Sequence, residues 1–196
     1  DKISVPARQS CSSCHTPDAG WTNGTSGTNQ KQVAVTGANP HKVGTLKPPS
    51  NAYASFVPNF AIGRFGPGGG NFWNGRAQGD EVADILNLEE GDKYFEYLGP
   101  TADQAHASPF INPVEQGQPD TTAVCEHVKS AKYAPLYDIA YGAAIDCGEV
   151  GVVTTFARFA LALAAYQHSS EVNAFDSKRD RALANDDNNP PASPLT

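Results

Sequence analysis

The stretch "SCSSCHTPDAG" (Ser10–Gly20) decides how the rest of this sequence is interpreted. Cys11 and Cys14 are separated by two serines, and His15 follows directly. This C-x-x-C-H pattern permits covalent attachment of haem, in which each thiol adds to one vinyl group and the histidine becomes an axial iron ligand. The short turn places both sulfurs along one haem edge. We therefore predict one covalent haem c, held by Cys11, Cys14 and His15.

Two other chemistries use a C-x-x-C pair. A structural zinc site needs a second pair of ligands, and the remaining cysteines do not form another C-x-x-C motif. A thioredoxin-like dithiol lies between a strand and a helix, whereas the segments flanking this motif are "PARQS" and "TPDAGWTNG". A zinc-stabilised or disulfide-stabilised binding domain is the alternative if haem is absent.

Cys125 and Cys147 form an even remainder once the first two cysteines are assigned to haem. A disulfide between them is typical of an oxidising compartment, so we expect a periplasmic or extracellular protein. The alternative is two unrelated buried thiols.

Composition and charge exclude several classes of protein. The hydrophobic content of 39% is too high for a disordered chain. The longest apolar run, Phe156–Tyr166, contains Arg158 and is too short to span a bilayer. The net charge of −7, without a basic cluster, argues against nucleic acid as a partner. An acidic surface suits a positively charged redox partner, and we expect a small cytochrome, a cupredoxin or a second haem domain.

The first 75 residues show little periodicity and are rich in Gly, Pro, Asn, Ser and Thr, which predicts long ordered loops. Loops of this length are unusual in a compact domain unless something organises them, and a large apolar cofactor would do so. Beyond residue 80 the pattern becomes helical. We predict a mainly α, c-type cytochrome-like haem domain over residues 1–184, followed by a linker-like tail at 185–196.

The helices are predicted from apolar spacing and end signals. Asp80 is the expected cap of a helix in "EVADILNLEEGDKYFEYLG" that Gly99 stops. The clearest helix is "EVGVVTTFARFALALAAYQHSS", with apolar residues at core spacing. Further helices are expected in "TTAVCEHVKSAKY", in "APLYDIAYG" and over residues 174–184.

The sixth iron ligand is constrained because the sequence contains no methionine, which removes the His/Met pairing of many cytochromes. His127 and His168 lie in helical patterns typical of surface or capping residues, and His106 lies among residues that resemble a pocket wall. His41, in "GANPHKVGTLKPP", lies in a loop punctuated by Gly and Pro that can fold over the opposite haem face. We predict His41 as the ligand, with an open or water-filled site as the alternative.

Several further strings follow the haem motif in a fixed order. They are "LKPPSNAY" (Leu46–Tyr53), "NFWNGRA" (Asn71–Ala77), "DQAHASPFINPVEQG" (Asp103–Gly117) and, later, "ARFALALAAYQHSSEVNAFD". Together with "CSSCH", they resemble the N-terminal half of the bacterial di-haem cytochrome c peroxidase/MauG family. The resemblance implies a peroxidatic haem with His15 as proximal ligand and His41 as a distal histidine that some members release on activation.

The resemblance also implies roles for residues around that haem. Phe72, Gln104 and Glu115 would line the distal pocket, with Glu115 as the acid/base that helps to break the peroxide O–O bond. Trp73 would lie on the electron path towards a second haem. Taken alone, Trp73 would more often be a core aromatic than an electron conduit, and Arg76 either pairs with a haem propionate or forms a surface salt bridge.

Glu115 has support from the residues themselves. Peroxide cleavage needs a proton moved from one oxygen to the other, which a carboxylate in a partly apolar pocket can do. Phe110 and Pro113 flank Glu115, so we expect desolvation to raise its pKa. The alternative is an ordinary solvated glutamate in a loop.

The sequence departs from the family pattern in two ways. It contains a single C-x-x-C-H motif, which predicts one haem in this chain. Lys47, in "LKPPS", takes the place of an asparagine at the family's inter-domain calcium site, and a cation there disfavours calcium.

These observations leave two haem functions open. Peroxide reduction takes two electrons, and a lone haem capped by His41 has neither an open coordination site nor a second stored electron. We therefore expect electron transfer through one His/His-ligated haem as the primary function. Peroxide reduction, as the peroxidatic half of a di-haem enzyme, is the alternative.

Overall fold

The structure is a computed structural model that describes residues 2–24, 35–107 and 109–186, with only the backbone of residues 184–186. Two short strands, β1 (Ala61–Gly63) and β2 (Gly66–Gly68), pair as an antiparallel hairpin. The helices are α1 (Glu81–Leu86), α2 (Pro100–Ala107), α3 (Thr121–Lys129), α4 (Pro135–Tyr141), α5 (Gly151–His168) and α6 (Lys178–Asp186). The predicted mainly α class is confirmed.

Where the structure describes it, the chain before α1 consists of loops, short 3₁₀ turns and the hairpin, as its Gly- and Pro-rich composition predicts. Turns of 3₁₀ type cover Cys11–Ser13, Pro17–Ala19 and Ala54–Phe56. The hairpin was not predicted. Gly69, just after β2, has a φ of +78°, and a Cβ there would lie 2.4 Å from the carbonyl oxygen of Asn59, so two backbone segments meet where only glycine fits.

Helix α5 is the centre of the core, as its apolar pattern predicts. One of its faces contributes Val152, Phe156 and Phe159 to a cluster with α3 and α4. Its other face is rich in alanine and packs against α1 and α2. Because alanine side chains are small, they allow the backbones of α2 and α5 to approach closely. The second cluster contains Val82, Ala102, Ala105, Ala157, Ala160, Leu161 and Ala164.

The first helix differs from the prediction in its cap and its length. The side chain of Asp80 makes no capping hydrogen bond. Instead, the buried carboxylate of Asp103 on α2 accepts hydrogen bonds from the amides at the start of α1. Helix α1 ends at Leu86, where Asn87 adopts a left-handed conformation, far short of Gly99. Local sequence rules cannot detect a cap that comes from a distant part of the chain, which explains why Asp80 was wrongly predicted as the cap.

Helices α3, α4 and α5 follow the prediction closely. Asp120 caps α3, its carboxylate accepting a hydrogen bond of 2.7 Å from the amide of Ala123. Helix α2 was not predicted, because its sequence "PTADQAHA" has almost no apolar stripe. Helix α6 begins at Lys178 rather than at 174. The tail predicted at 185–196 lies, from residue 187 onward, outside the described residues.

The predicted disulfide is present. Cys125 in α3 and Cys147 before α5 are bonded, with their Cα atoms 5.7 Å apart, and both lie in the larger core cluster. It ties the loop before α5 to the helix that packs on α5. No helix in the described part of the chain is both long and apolar enough to cross a bilayer.

Candidate functional site

The C-x-x-C-H motif is folded into a tight turn. The hydroxyls of Ser10 and Ser13 cap it, and the amides of Cys14 and His15 donate to the carbonyl oxygen of Cys11 over 3.1 and 3.0 Å. Both thiols are free rather than disulfide-bonded. The turn therefore presents two unmodified sulfurs and the imidazole from one short segment.

The imidazole of His15 is oriented by the backbone. Its Nδ1 lies 2.9 Å from the carbonyl oxygen of Trp21, and since a carbonyl only accepts, Nδ1 carries the proton and donates. Burial lowers the pKa of His15, although the carbonyl groups of Trp21 and Pro49 oppose this effect. Burial thus favours the neutral ring, and with the proton on Nδ1 the nitrogen that can ligate a metal is Nε2. Two free thiols and such an imidazole fit the covalent attachment and axial ligation of a c-type haem.

The loop carrying Glu115 is built by an Asn-Pro turn. The side-chain oxygen of Asn112 accepts hydrogen bonds from the amides of Val114 and Glu115, and its amide nitrogen donates to Glu115 Oε1 over 3.0 Å. The carbonyl oxygen of Glu115 accepts from Gln9 Nε2 at 2.6 Å and from the Ala38 amide at 3.0 Å. Glu115 is thus fixed between the haem motif and the loop that leads to His41.

The Glu115 carboxyl lies within electrostatic range of the motif. Although the residue exposes part of its surface, desolvation of the carboxyl raises its pKa, and the charge of Arg76 opposes the rise. Desolvation also raises the pKa of the Cys11 and Cys14 thiols, and the Glu115 carboxylate raises both further. Desolvation acts on Glu115 in the expected direction, although the residue as a whole is exposed.

Arg76 is positioned by an aromatic ring. Its guanidinium carbon lies 3.5 Å from the centre of the Phe72 ring, and its Nη1 donates to Asn74 Oδ1 over 3.3 Å. Phe72 has a φ of +63°, a left-handed conformation that is unusual for a bulky residue. The turn therefore holds the ring and the cation together, and the charge of Arg76 lies within electrostatic range of Glu115.

Phe72, Trp73 and Gln104 line a common cavity of about 130 Å³. The other lining residues come from the preceding loops and the start of the same turn: Pro49, Ser50, Ala54, Gly70 and Asn71. Gln104 reaches it from α2. Phe72 and Gln104 are thus brought together with Trp73 on one cavity, whereas Glu115, expected to line the same pocket, is not among its lining residues.

Trp73 lies at the edge of this cavity with 67% of its surface exposed. Its indole nitrogen donates to the carbonyl oxygen of Lys47 over 3.1 Å. It is not a core aromatic, so that alternative is wrong. Among the described residues, no group of three or more His, Cys, Asp or Glu side chains is placed to hold a metal ion.

The other histidines are placed as follows. His41 is exposed, and its backbone amide donates to Asn39 Oδ1 over 2.9 Å. His106 is not part of the cavity wall: its Nδ1 lies 3.1 Å from Glu81 Oε1 and its ring packs on Phe156. His168 is half-buried at the end of α5 between Phe56 and Tyr97, rather than a surface residue. Burial lowers the pKa of His168, and Glu96 opposes this effect.

Several contributors to the site were not found from the sequence. Gln9 and Asn112 hold Glu115 in place, and the carbonyl of Trp21 orients His15. Asn112 had a local signal, because Asn before Pro initiates turns. Gln9 and the carbonyl of Trp21 had none, because their partners are set by the fold.

A family profile described as "Di-haem cytochrome c peroxidase" matches residues 1–188. This chain belongs to the di-haem cytochrome c peroxidase family. A relative, the methylamine utilization protein MauG of Paracoccus denitrificans, is 32% identical over 185 residues, which cover 92% of this chain and 41% of MauG.

Two solved structures share the fold of this chain. The diheme peroxidase BthA of Burkholderia thailandensis superposes with a TM-score of 0.67 at 21% identity, covering 92% of this chain and 38% of BthA. A single-residue variant of BthA superposes with a TM-score of 0.69 at 21% identity, covering 100% of this chain and 41% of the variant. The chain thus spans about two fifths of the length of these relatives.

Proposed function

We propose that this chain is the peroxide-reducing haem domain of a cytochrome c peroxidase-type enzyme. The observation that carries the proposal is the position of Glu115, whose carboxyl has a raised pKa and lies within electrostatic range of both motif cysteines. Membership of the family supports it. Peroxide reduction therefore replaces electron transfer as the favoured function.

In this proposal Cys11 and Cys14 would form the two thioether bonds to the haem, and His15 Nε2 would ligate its iron. The Trp21 carbonyl keeps the proton on Nδ1, so that the ring stays neutral and correctly turned. A bound haem would supply the redox-active iron. The thiols, which desolvation keeps protonated at pH 7, lose their protons to the vinyl groups on attachment.

Glu115 moves the proton. Its carboxylate takes a proton from one oxygen of hydrogen peroxide and returns it to the other, so that the O–O bond breaks with water as the leaving group. Asn112 holds Oε1, which keeps the carboxyl oriented. The reaction consumes two electrons and two protons for each peroxide and forms two waters, and the electrons come from a redox partner.

Trp73 offers an entry point for those electrons. It is exposed and at the same time lines the cavity shared with Phe72 and Gln104. A donor protein, either a small cytochrome or cupredoxin or a second haem domain, would contact this side of the chain. The acidic net charge of −7 favours a donor with a basic surface.

Electron transfer is the second candidate function. It is favoured by the backbone hydrogen bond between Ala38 and Glu115, which joins the His41 loop to the site loop. If His41 ligates the iron, it closes the position that peroxide needs, and a carrier results. The disulfide between Cys125 and Cys147 supports an oxidising compartment, the periplasm or the cell exterior, for either function.

The test is the single-turnover reaction of the haem-loaded chain with hydrogen peroxide, followed in the Soret region. We expect a rapid reaction that the Glu115→Gln variant slows by about 10²-fold to 10⁴-fold. Glu90→Gln, an exposed glutamate in the turn after α1, is the matched control and should match the wild type. A haem-loaded wild type that a donor reduces but peroxide does not oxidise would identify a carrier instead.

A further inference from the structure

Helix α2 carries two buried polar side chains that the proposed chemistry does not use. Thr101 is 2% exposed and Asp103 is 1% exposed, and both lie on the helix that presents Gln104 to the cavity. Buried polar groups are costly unless they are fully hydrogen-bonded, so their partners indicate what they hold in place.

Thr101 joins two walls of the cavity. Its hydroxyl donates to the carbonyl oxygen of Ala54 over 3.1 Å and accepts from Asn71 Nδ2 over 3.2 Å. Ala54 and Asn71 both line the cavity, on segments far apart in the chain. One hydroxyl therefore fixes the spacing between the 54 loop and the turn that carries Phe72 and Trp73.

Asp103 fixes the other end of that turn. Its Oδ2 accepts from the Gly79 amide, at 2.5 Å, and from the Glu81 amide, and its Oδ1 accepts from the Val82 amide over 3.0 Å. Gly79 has a φ of +115°, and a Cβ there would lie 2.3 Å from Asn59 Oδ1, so only glycine brings the backbone this close. The carboxylate thus anchors the segment that follows "NFWNGRA" to α2.

We propose that Thr101 and Asp103 are positioning residues that clamp the walls of the cavity around Gln104. They act through Asn71, Ala54 and Gly79 and set the distance between Gln104 and the Phe72–Trp73 turn. The proposal rests on the proposed peroxide-reducing function, in which Gln104 and Phe72 would line the pocket that admits peroxide. Displacement of a pocket group by about 1 Å costs up to about 10²-fold in rate.

The experiment compares two matched pairs in the haem-loaded chain. Thr101→Val removes the hydroxyl at nearly constant shape, and Thr101→Ser restores it. Asp103→Asn removes the carboxylate charge that caps the start of α1. Asp80→Asn is its control, because it removes a carboxylate at the same end of the helix whose side chain makes no capping hydrogen bond. The readouts are the second-order rate constant with hydrogen peroxide, the thermal midpoint and the hydrogen exchange of residues 70–82.

We expect Thr101→Val and Asp103→Asn to slow the peroxide reaction by about 10-fold to 100-fold, while Thr101→Ser and Asp80→Asn stay within about threefold of the wild type. Thr101→Val loses two hydrogen bonds and Thr101→Ser loses a buried methyl group, so both should lower the thermal midpoint, and a rate loss confined to the valine variant separates positioning from stability. The proposal is overturned if the valine variant reacts like the wild type or if the serine variant is equally slow.

The exchange measurement keeps this proposal separate from the proposed function. If the wild type does not react with peroxide, the proposed peroxidase function is wrong. Hydrogen exchange alone then tests whether Thr101 and Asp103 position the cavity walls. Faster exchange over 70–82 in Thr101→Val and Asp103→Asn, but not in Thr101→Ser and Asp80→Asn, supports it. Equal exchange in all four variants overturns it.

Discussion

The guanidinium of Arg76 stacks on the ring of Phe72, 3.5 Å from its centre, and its charge lowers the pKa of Glu115 against the opposing effect of desolvation. Phe72 is held in a left-handed backbone conformation, so the position of the cation depends on a strained turn. The proton affinity of Glu115 is thus set by two opposing effects from different segments.

Replacing Arg76 with Gln should move the pH dependence of the peroxide reaction. Desolvation raises the pKa of Glu115 and Arg76 lowers it, so removal of Arg76 raises the pKa further. Because the carboxylate form accepts the proton, the rate rises with pH through this pKa. We expect the inflection to shift to higher pH in Arg76→Gln, measured by stopped-flow between pH 4 and pH 8, roughly the range over which shifted carboxyls titrate.

Arg64→Gln is the matched control for this prediction. Arg64 also lies over an aromatic ring, at 5.9 Å from the centre of Phe65, but on the exposed hairpin tip. Its removal should leave the inflection in place. A shift of equal size in both variants would indicate a general effect of net charge rather than a contact with Glu115.

Loss of the disulfide should destabilise the fold without affecting haem attachment. Cys125 and Cys147 are 22 positions apart, and a closed loop of this size contributes about 3 kcal/mol in the chain-entropy account. Replacing both with Ala should lower the free energy of unfolding by that amount in urea titrations. An unchanged midpoint would show that the bond does not form in the native protein.

The alanine face of α5 should not tolerate larger side chains. Ala160 is 1% exposed and faces α1 and α2, so Ala160→Leu should destabilise the chain by about 1–3 kcal/mol through overpacking. Ala162, exposed on the same helix, is the matched position, and Ala162→Leu should stay within about 0.5 kcal/mol of the wild type. Similar losses at both positions would contradict the assigned packing.

The helical half of the fold was predictable because its apolar periodicity is strong. Val152, Phe156 and Phe159 fall on one face of α5 in the sequence and in the structure. Helix α2 escaped prediction because it is packed through alanine and polar residues, which leave no periodic apolar signal. The N-terminal cap of α1 escaped because it is Asp103, which lies on another helix.

The site was predictable where its residues form a contiguous motif with known chemistry. It was not predictable where a side chain is held by hydrogen-bond partners from distant parts of the chain. Cys11, Cys14 and His15 are neighbours in the sequence, so one turn brings them together. The convergence of Phe72 and Gln104 on one cavity came from the family resemblance rather than from periodicity. The roles of Thr101 and Asp103 emerge only from tertiary hydrogen bonds.

The most direct measurement is the intact mass of the chain, produced in a host that attaches haem c, together with its pyridine haemochrome spectrum. We predict one covalent haem per chain, lost in the Cys11→Ala/Cys14→Ala variant and retained in Cys125→Ala/Cys147→Ala. A colourless wild type with the unmodified mass and with alkylatable thiols at Cys11 and Cys14 would contradict the account.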